Sequence, residues 1–149
     1  MLGGLKVKLD NITNYIQSIC ENIYTVLEVD VTVVSKDLVR IARTGVFKYK
    51  INVKISSNSA FSKVLNTHKP YIINRDLEVN CKTCVHNKDC KELVDICTPI
   101  MLGDNNLGIL GIAAFTEEQK NKILSKDQEL CEFIKSMSNL ISYKLDELY

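Results

Sequence analysis

Six cysteines stand in this chain of 149 residues, and four of them cluster: Cys81, Cys84, Cys90 and Cys97, spaced C-x2-C-x5-C-x6-C. Cys81 and Cys84 can approach one ion from a single tight turn, and Cys90 and Cys97 can close the site from the following segment. Four thiolates suit tetrahedral zinc or a 4Fe-4S cluster. Zinc ribbons usually bring two C-x2-C knuckles and this segment has one, so the spacing leaves zinc and a cluster both open. Lys82, Lys88 and Lys91 lie among the ligands, where they would offset the thiolate charge or simply form a solvated loop. His86 could replace one thiolate, though a lone loop histidine is more often exposed.

Two other chemistries fit the same thiols. Cys81 and Cys84 could close a reversible disulfide, or a structural zinc could pin a long loop that has little core of its own. Cys20 and Cys131 stand alone in helical patterns and read as small buried hydrophobes. Catalysis is not expected. No G-x-S-x-G elbow and no H-E-x-x-H is present, and there are only two histidines for acid–base work. A Cys84–His86 pair is poor evidence of catalytic geometry.

Composition narrows the partners. Basic and acidic side chains number 19 and 18, giving a net charge of +1. Binding to nucleic acid is largely phosphate neutralisation, so direct contact with it is not expected. Trp is absent and aromatics are 7%, which argues against a base-stacking platform. No apolar run approaches the roughly 18 residues of a membrane span. Met1 to Lys6 lead into a mixed pattern, not a continuous apolar segment, so a cytoplasmic location and no membrane contact are expected. Cysteines there are read as metal or redox groups before disulfides.

The elements that must position these residues follow from periodicity. Leu9, Ile12, Ile16, Ile19, Ile23 and Val26 recur at steps of three and four and predict a helix ending near Leu27 or Glu28. Val29–Val34 and Leu38–Thr44 predict a hairpin around Ser35-Lys36-Asp37. Val53 and Ile55 hint at an edge strand. Ser57 or Asn58 can cap a short helix through Ala60, Phe61, Val64 and Leu65. Tyr71–Ile73 reads as a strand, and the cysteine-rich insert occupies 79–97. Thr98–Leu102 and Leu107–Phe115 predict a second hairpin about Gly103-Asp104-Asn105-Asn106. Ser125 and Gln128 resemble a capping box for a last helix carrying Leu130, Ile134, Met137, Ile141, Leu145 and Leu148. The order predicts one α+β domain over 1–149, an antiparallel sheet flanked by N- and C-terminal helices.

The stretch Thr98-Pro99-Ile100-Met101-Leu102-Gly103-Asp104-Asn105-Asn106-Leu107-Gly108-Ile109-Leu110-Gly111-Ile112 resembles the late core of a GAF domain, in the GAF/PAS-like class. Three further pieces are Asn66–Ile73, the cysteine segment ending at Ile100, and Ala114–Gln119. Together they resemble the N-terminal sensory domain of clostridial sigma-54-dependent transcriptional activators. That resemblance implies a signal-sensing regulatory domain for redox state, metal or a small metabolite. It implies an ATPase and a DNA-binding domain only in a longer parent chain, since no G-x-x-x-x-G-K-[ST] loop is present here. It also implies a ligand between one sheet face and its cover, with Arg43, Phe61 and Tyr71 as candidate contacts. The near-heptad rhythm of the last helix and the stripe of the first predict a homodimer through the terminal helices.

Overall fold

The computed structural model describes residues 7–45, 60–75, 77 and 91–148, with backbone only at 60 and 61. The expected edge strand at Val53 and Ile55, the cap at Ser57 or Asn58, Cys81, Cys84, Cys90, His86, Lys82, Lys88 and the Phe61 side chain lie outside the described residues.

A 3-10 turn, Leu9–Ile12, leads into α1, Thr13–Leu27. Ile16, Cys20 and Ile23 form the buried stripe of α1, so Cys20 is a core residue. Val26, expected on that stripe, is 72% exposed. It sits in the last turn, where the stripe has rotated off the sheet. Glu28 ends the helix at φ +57 and donates its N–H to the Tyr24 carbonyl at 2.8 Å, a left-handed C-terminal cap.

Among the described residues five antiparallel strands follow: β1 Asp30–Ser35, β2 Arg40–Arg43, β3 Tyr71–Asn74, β4 Val94–Leu102 and β5 Asn105–Ala114. Their order is β2-β1-β5-β4-β3. The remaining helices are α2 Ala60–Thr67, α3 Glu117–Ser125 and α4 Asp127–Leu148. The sheet has two differently covered faces, because side chains alternate along each strand. Val31, Val33, Ile96, Leu110 and Ile112 join the 3-10 turn, α1, α3 and α4 in the main core. Cys97 and Ile109 face the other way and pack with Val64 of α2 and Ile73 of β3.

Several boundaries differ from expectation. The second strand begins at Arg40, because Leu38 takes φ +64 in a turn closed by Ser35. The Ser35 backbone N–H reaches Val39 O at 2.8 Å, and its hydroxyl accepts from Val39 N at 3.3 Å. The β4–β5 turn is only Gly103-Asp104, with Leu102 opposite Asn105 and Gly103 at φ +61. Glycine at the first central position suits a tight hairpin turn, so Asn105 and Asn106 belong to β5. Strand β4 starts at Val94, inside the segment assigned to the insert. Charged Glu92 and Asp95 mask the alternation of Val94, Ile96 and Thr98 there.

The capping box lies at Thr116, not Ser125. Thr116 Oγ1 accepts from Gln119 N at 3.1 Å, and Gln119 Oε1 accepts from Phe115 N at 2.8 Å. This reciprocal pair starts α3, a helix the apolar pattern did not predict. Ser125 closes α3, its hydroxyl donating to Lys122 O at 3.0 Å.

Candidate functional site

The face of the sheet opposite α1 and α4 carries an unusual set of enclosed polar groups. Register aligns Thr32, Gly111 and Cys97 across β1, β5 and β4, and aligns Asp30, Ala113 and Asp95 beside them. Asp30 is 4% exposed, Thr32 0%, Arg40 4% and Asp95 5%. Burying such groups is costly unless they are matched by partners or by a ligand.

Arg40 enters from β2. Its Nε donates to Thr32 Oγ1 at 2.8 Å, and Thr32 Oγ1 in turn lies 3.4 Å from the Ala42 carbonyl. This bond holds the guanidinium over the sheet, and its positive charge acts on Asp95 from across β5. Asp95 and Glu92 pair their carboxyls, and no N–H or hydroxyl donor among the described residues reaches the buried Asp95 Oδ1 or Glu92 Oε1. Burial holds the Asp95 carboxyl well above the usual carboxylate range. The Glu92 charge and a hydrogen bond with Glu92 push it the same way, and Arg40 opposes them. Between Arg40 and Asp95 lie Asp30 and Thr32 on β1 and the small residues Gly111 and Ala113 on β5. Gly45 closes the Asp30 end at φ +54, where a Cβ would collide with the Asp30 carboxylate.

Cys97 lies two positions along β4 from Asp95, fully buried against Val64, Ile73 and Ile109. Its thiol is pushed well above the ordinary range, first by burial, then by the negative charges of Asp95, Glu92 and Cys131. These neighbours favour the neutral thiol, so a metal at Cys97 would have to supply the charge that holds a thiolate. Among the described residues no group of three or more Cys, His, Asp or Glu is placed to hold a metal ion. The other three candidate ligands, Cys81, Cys84 and Cys90, are outside them.

Tyr71 shares the Cys97 face, pairing with it across β3 and β4. Its hydroxyl accepts from Lys63 Nζ of α2 at 2.9 Å, and the same ammonium lies 4.5 Å from the ring centroid. Asn106 Nδ2 donates to the Leu65 carbonyl at 3.3 Å, tying the end of α2 to β5. Arg43 is engaged elsewhere. Its Nη1 donates to Gln17 Oε1 of α1 at 3.1 Å, and Gln17 Nε2 donates to Arg43 O at 2.8 Å. The Arg43 backbone N–H also donates to Gln17 Oε1, at 3.1 Å, so the Gln17 amide acts as an added rung on the β2 edge.

The sequence reading did not select Arg40, Asp95, Thr32 or Asp30. Their signal is a polar residue at alternate positions of an otherwise apolar run, as in Asp30-Val31-Thr32-Val33 and Val94-Asp95-Ile96-Cys97.

Strand β4 also has an attachment on the helical side. Ser138 Oγ of α4 donates to the Pro99 carbonyl at 2.8 Å, and Ser142 Oγ donates to the Met101 carbonyl at 2.6 Å.

An antiparallel sheet in this order, with helices on both faces, matches the GAF fold. The NLH2 GAF domain of A. aeolicus in an inactive state aligns with a TM-score of 0.61 and 17% identity, over 96% of this chain and 99% of that one. The cofactor-binding GAF domain of the nutrient sensor CodY from Clostridium difficile aligns with a TM-score of 0.54 and 13% identity, over 96% and 87%. No protein-family model matches the chain. In sequence the chain is 27% identical over 134 residues to UacR of Escherichia coli (strain K12), a sigma-54-dependent transcriptional regulator named for uric acid. That match covers 89% of this chain and 23% of the regulator's length. The chain therefore has the GAF fold and is related in sequence to a sigma-54-dependent regulator.

Proposed function

We propose that this domain receives the signal for a sigma-54-dependent transcriptional activator, and that the signal is a small metabolite bound on the Arg40–Asp95 face of the sheet. The observation that carries this reading is the set of buried polar side chains, Asp30, Thr32, Arg40 and Asp95, on one face of the sheet. Enclosed polar groups with convergent directions are what a small-ligand site requires. The name of the E. coli relative points to uric acid, and the CodY neighbour is described as binding a cofactor in a nutrient sensor. In this reading the domain binds and does not catalyse, it lies in the cytoplasm, and DNA contact and ATP hydrolysis belong to other parts of the regulator. No helix of the described residues is long and apolar enough to cross a membrane.

Output runs through β4. The strand carries Asp95 and Cys97 on the ligand face, and its Pro99 and Met101 carbonyls hold Ser138 and Ser142 of α4. A shift of β4 on binding thus bears directly on the terminal helix, through which two copies of the domain pair.

Thermal unfolding of the purified chain against a metabolite library tests the reading. A small metabolite raises the midpoint of the wild type and leaves Arg40→Gln unmoved. A library that moves neither protein, or moves both equally, contradicts it.

A second reading places zinc or a 4Fe-4S cluster at Cys81, Cys84, Cys90 and Cys97. What favours it is the position of Cys97 on β4, two residues from Asp95, where a metal would bear on the same strand. Metal analysis and a visible spectrum of anaerobically purified protein test it. Iron with sulfide supports a cluster, one zinc supports a structural site, and no metal with a mass change on reduction supports a Cys81–Cys84 switch.

A further inference from the structure

Eight residues are too few for a helix to stand alone in water, so α2 depends on what it packs against. Among the described residues Val64 is its one fully buried side chain, set against Ile73, Cys97 and Ile109 with Leu65 and Tyr71 at the margin. No described residue of α2 enters the main core on the opposite face of the sheet. The two faces therefore need not open together. The C-terminal end of α2 is fastened by a side-chain amide. A helix leaves its last carbonyls without partners inside it. His68, at φ +57, gives its N–H to the Val64 carbonyl at 3.2 Å, and the Leu65 carbonyl accepts from Asn106 Nδ2 at 3.3 Å. Asn106 Oδ1 accepts from the Gly108 N–H at 2.9 Å. A carbonyl on one side and an N–H on the other leave the amide one orientation. Asn106 stands at a break in the β4–β5 register, where it pairs with Met101 and Gly108 pairs with Ile100. Gly108 has no room for a Cβ beside the Val34 carbonyl. The amide is thus anchored on the packed sheet and holds α2 by its other end.

We propose that α2 is a lid that opens independently of the main core, latched shut by Asn106, and that its opening is the route by which reagents from solution reach Cys97. Cys97 is fully buried, and Val64 of α2 is part of what covers it. An opening of the whole domain exposes Cys97 and Cys20 together, since Cys20 lies in the main core under α1. An opening of α2 alone exposes Cys97 and leaves Cys20 enclosed. The latch needs both ends of the amide. Asn106→Asp keeps an acceptor for the Gly108 N–H but sets a negative oxygen against the Leu65 carbonyl, at the end of the helix where the dipole is already negative. The latch is independent of which molecule or metal the domain senses.

Native-state thiol labelling of the purified chain tests the lid, with a zinc and iron chelator present and the labelled peptides read by mass spectrometry. In the wild type Cys97 reacts with iodoacetamide at least about ten-fold faster than Cys20. Low urea speeds the labelling of Cys20, because global unfolding exposes much surface, and barely changes that of Cys97. Asn106→Asp speeds Cys97 by about five- to ten-fold and leaves Cys20 as in the wild type. Amide exchange at residues 64–68 rises by the same factor in that variant, while residues 16–23 of α1 keep their protection, and this readout needs no free thiol. Cys97 reacting no faster than Cys20, or with the same urea dependence, means that the face opens only with the whole domain and overturns the lid. A Cys97 rate unmoved by Asn106→Asp overturns the latch. Should that variant not fold, Asn106→Ala is compared in its place, and the wild-type ratio of Cys97 to Cys20 decides on the lid without any variant.

Discussion

Arg40 and Arg43 lie on the same short strand and do different work. Arg43 reaches Gln17 and fastens the edge of the sheet to α1, while Arg40 is buried on the ligand face. The sequence offered Arg43, on the expected second strand, as a possible polar contact for a ligand. Between the two lies a register shift in the β1–β2 pairing, at Val33/Val34. No periodicity displays such a shift. Cys20 was better marked, because a lone cysteine on a helical stripe is usually core. Burial, reinforced by the Glu21 charge and opposed by Arg43, pushes its thiol up to about 12. The native state thus keeps a proton that the unfolded chain begins to release near pH 9. The sign is negative: the contribution of Cys20 to stability is complete below that pH and is lost as pH rises toward 12, by roughly 1.4 kcal/mol per unit. Urea titrations from pH 8 upward should show this alkaline decline, and Cys20→Ala should flatten it at the cost of a lower plateau. Equal slopes in the two proteins would refute the assignment. Cys20 should also resist iodoacetamide at pH 8 until the protein unfolds, because the thiolate is the reacting form.

Among the elements, β4 joins the ligand face to the terminal helix. Its start was hidden by Glu92 and Asp95, whose charges read as loop, although Val94, Ile96 and Ile100 keep the strand alternation and are buried in the main core. The role of α4 was only half legible. Leu130, Ile134, Ile141 and Leu145 are buried as the stripe requires, but Leu148 is 54% exposed. Ser138 and Ser142 read as ordinary polar positions, and no spacing reveals that they bond across the sheet to carbonyls about forty residues away. Ser138→Ala leaves the Pro99 carbonyl without this donor and should lower stability by about 1–2 kcal/mol. The urea midpoint should fall and the m-value should stay constant. Ser138→Ala with Ser142→Ala should leave ligand affinity near wild type, because neither residue touches the ligand face. A double variant that loses binding would place the serines in the site and not in the output path.

At the scale of the molecule, the described residues of one sheet face pack with α1, α3 and α4 in the main core, and those of the other combine a smaller apolar cluster around Cys97 with the enclosed polar groups. Among the described residues most exposed large apolar side chains lie on the terminal helices, Tyr24 and Val26 on α1 and Leu140, Tyr143 and Leu148 on α4, with Leu77 the exception. Two copies pairing through these helices would cover them. Sedimentation should therefore give a dimer, and Val26→Glu with Tyr143→Glu should give a monomer of nearly unchanged thermal midpoint. A wild type that stays monomeric at high concentration rules the pairing out. In the proposed function a bound metabolite acts onward through β4 and α4. Amide hydrogen exchange of the wild-type chain with and without urate measures this directly. The account predicts added protection at residues 94–98 of β4 together with a change at residues 138–142 of α4. Protection that spares β4, or that appears on β4 and leaves α4 untouched, would contradict it.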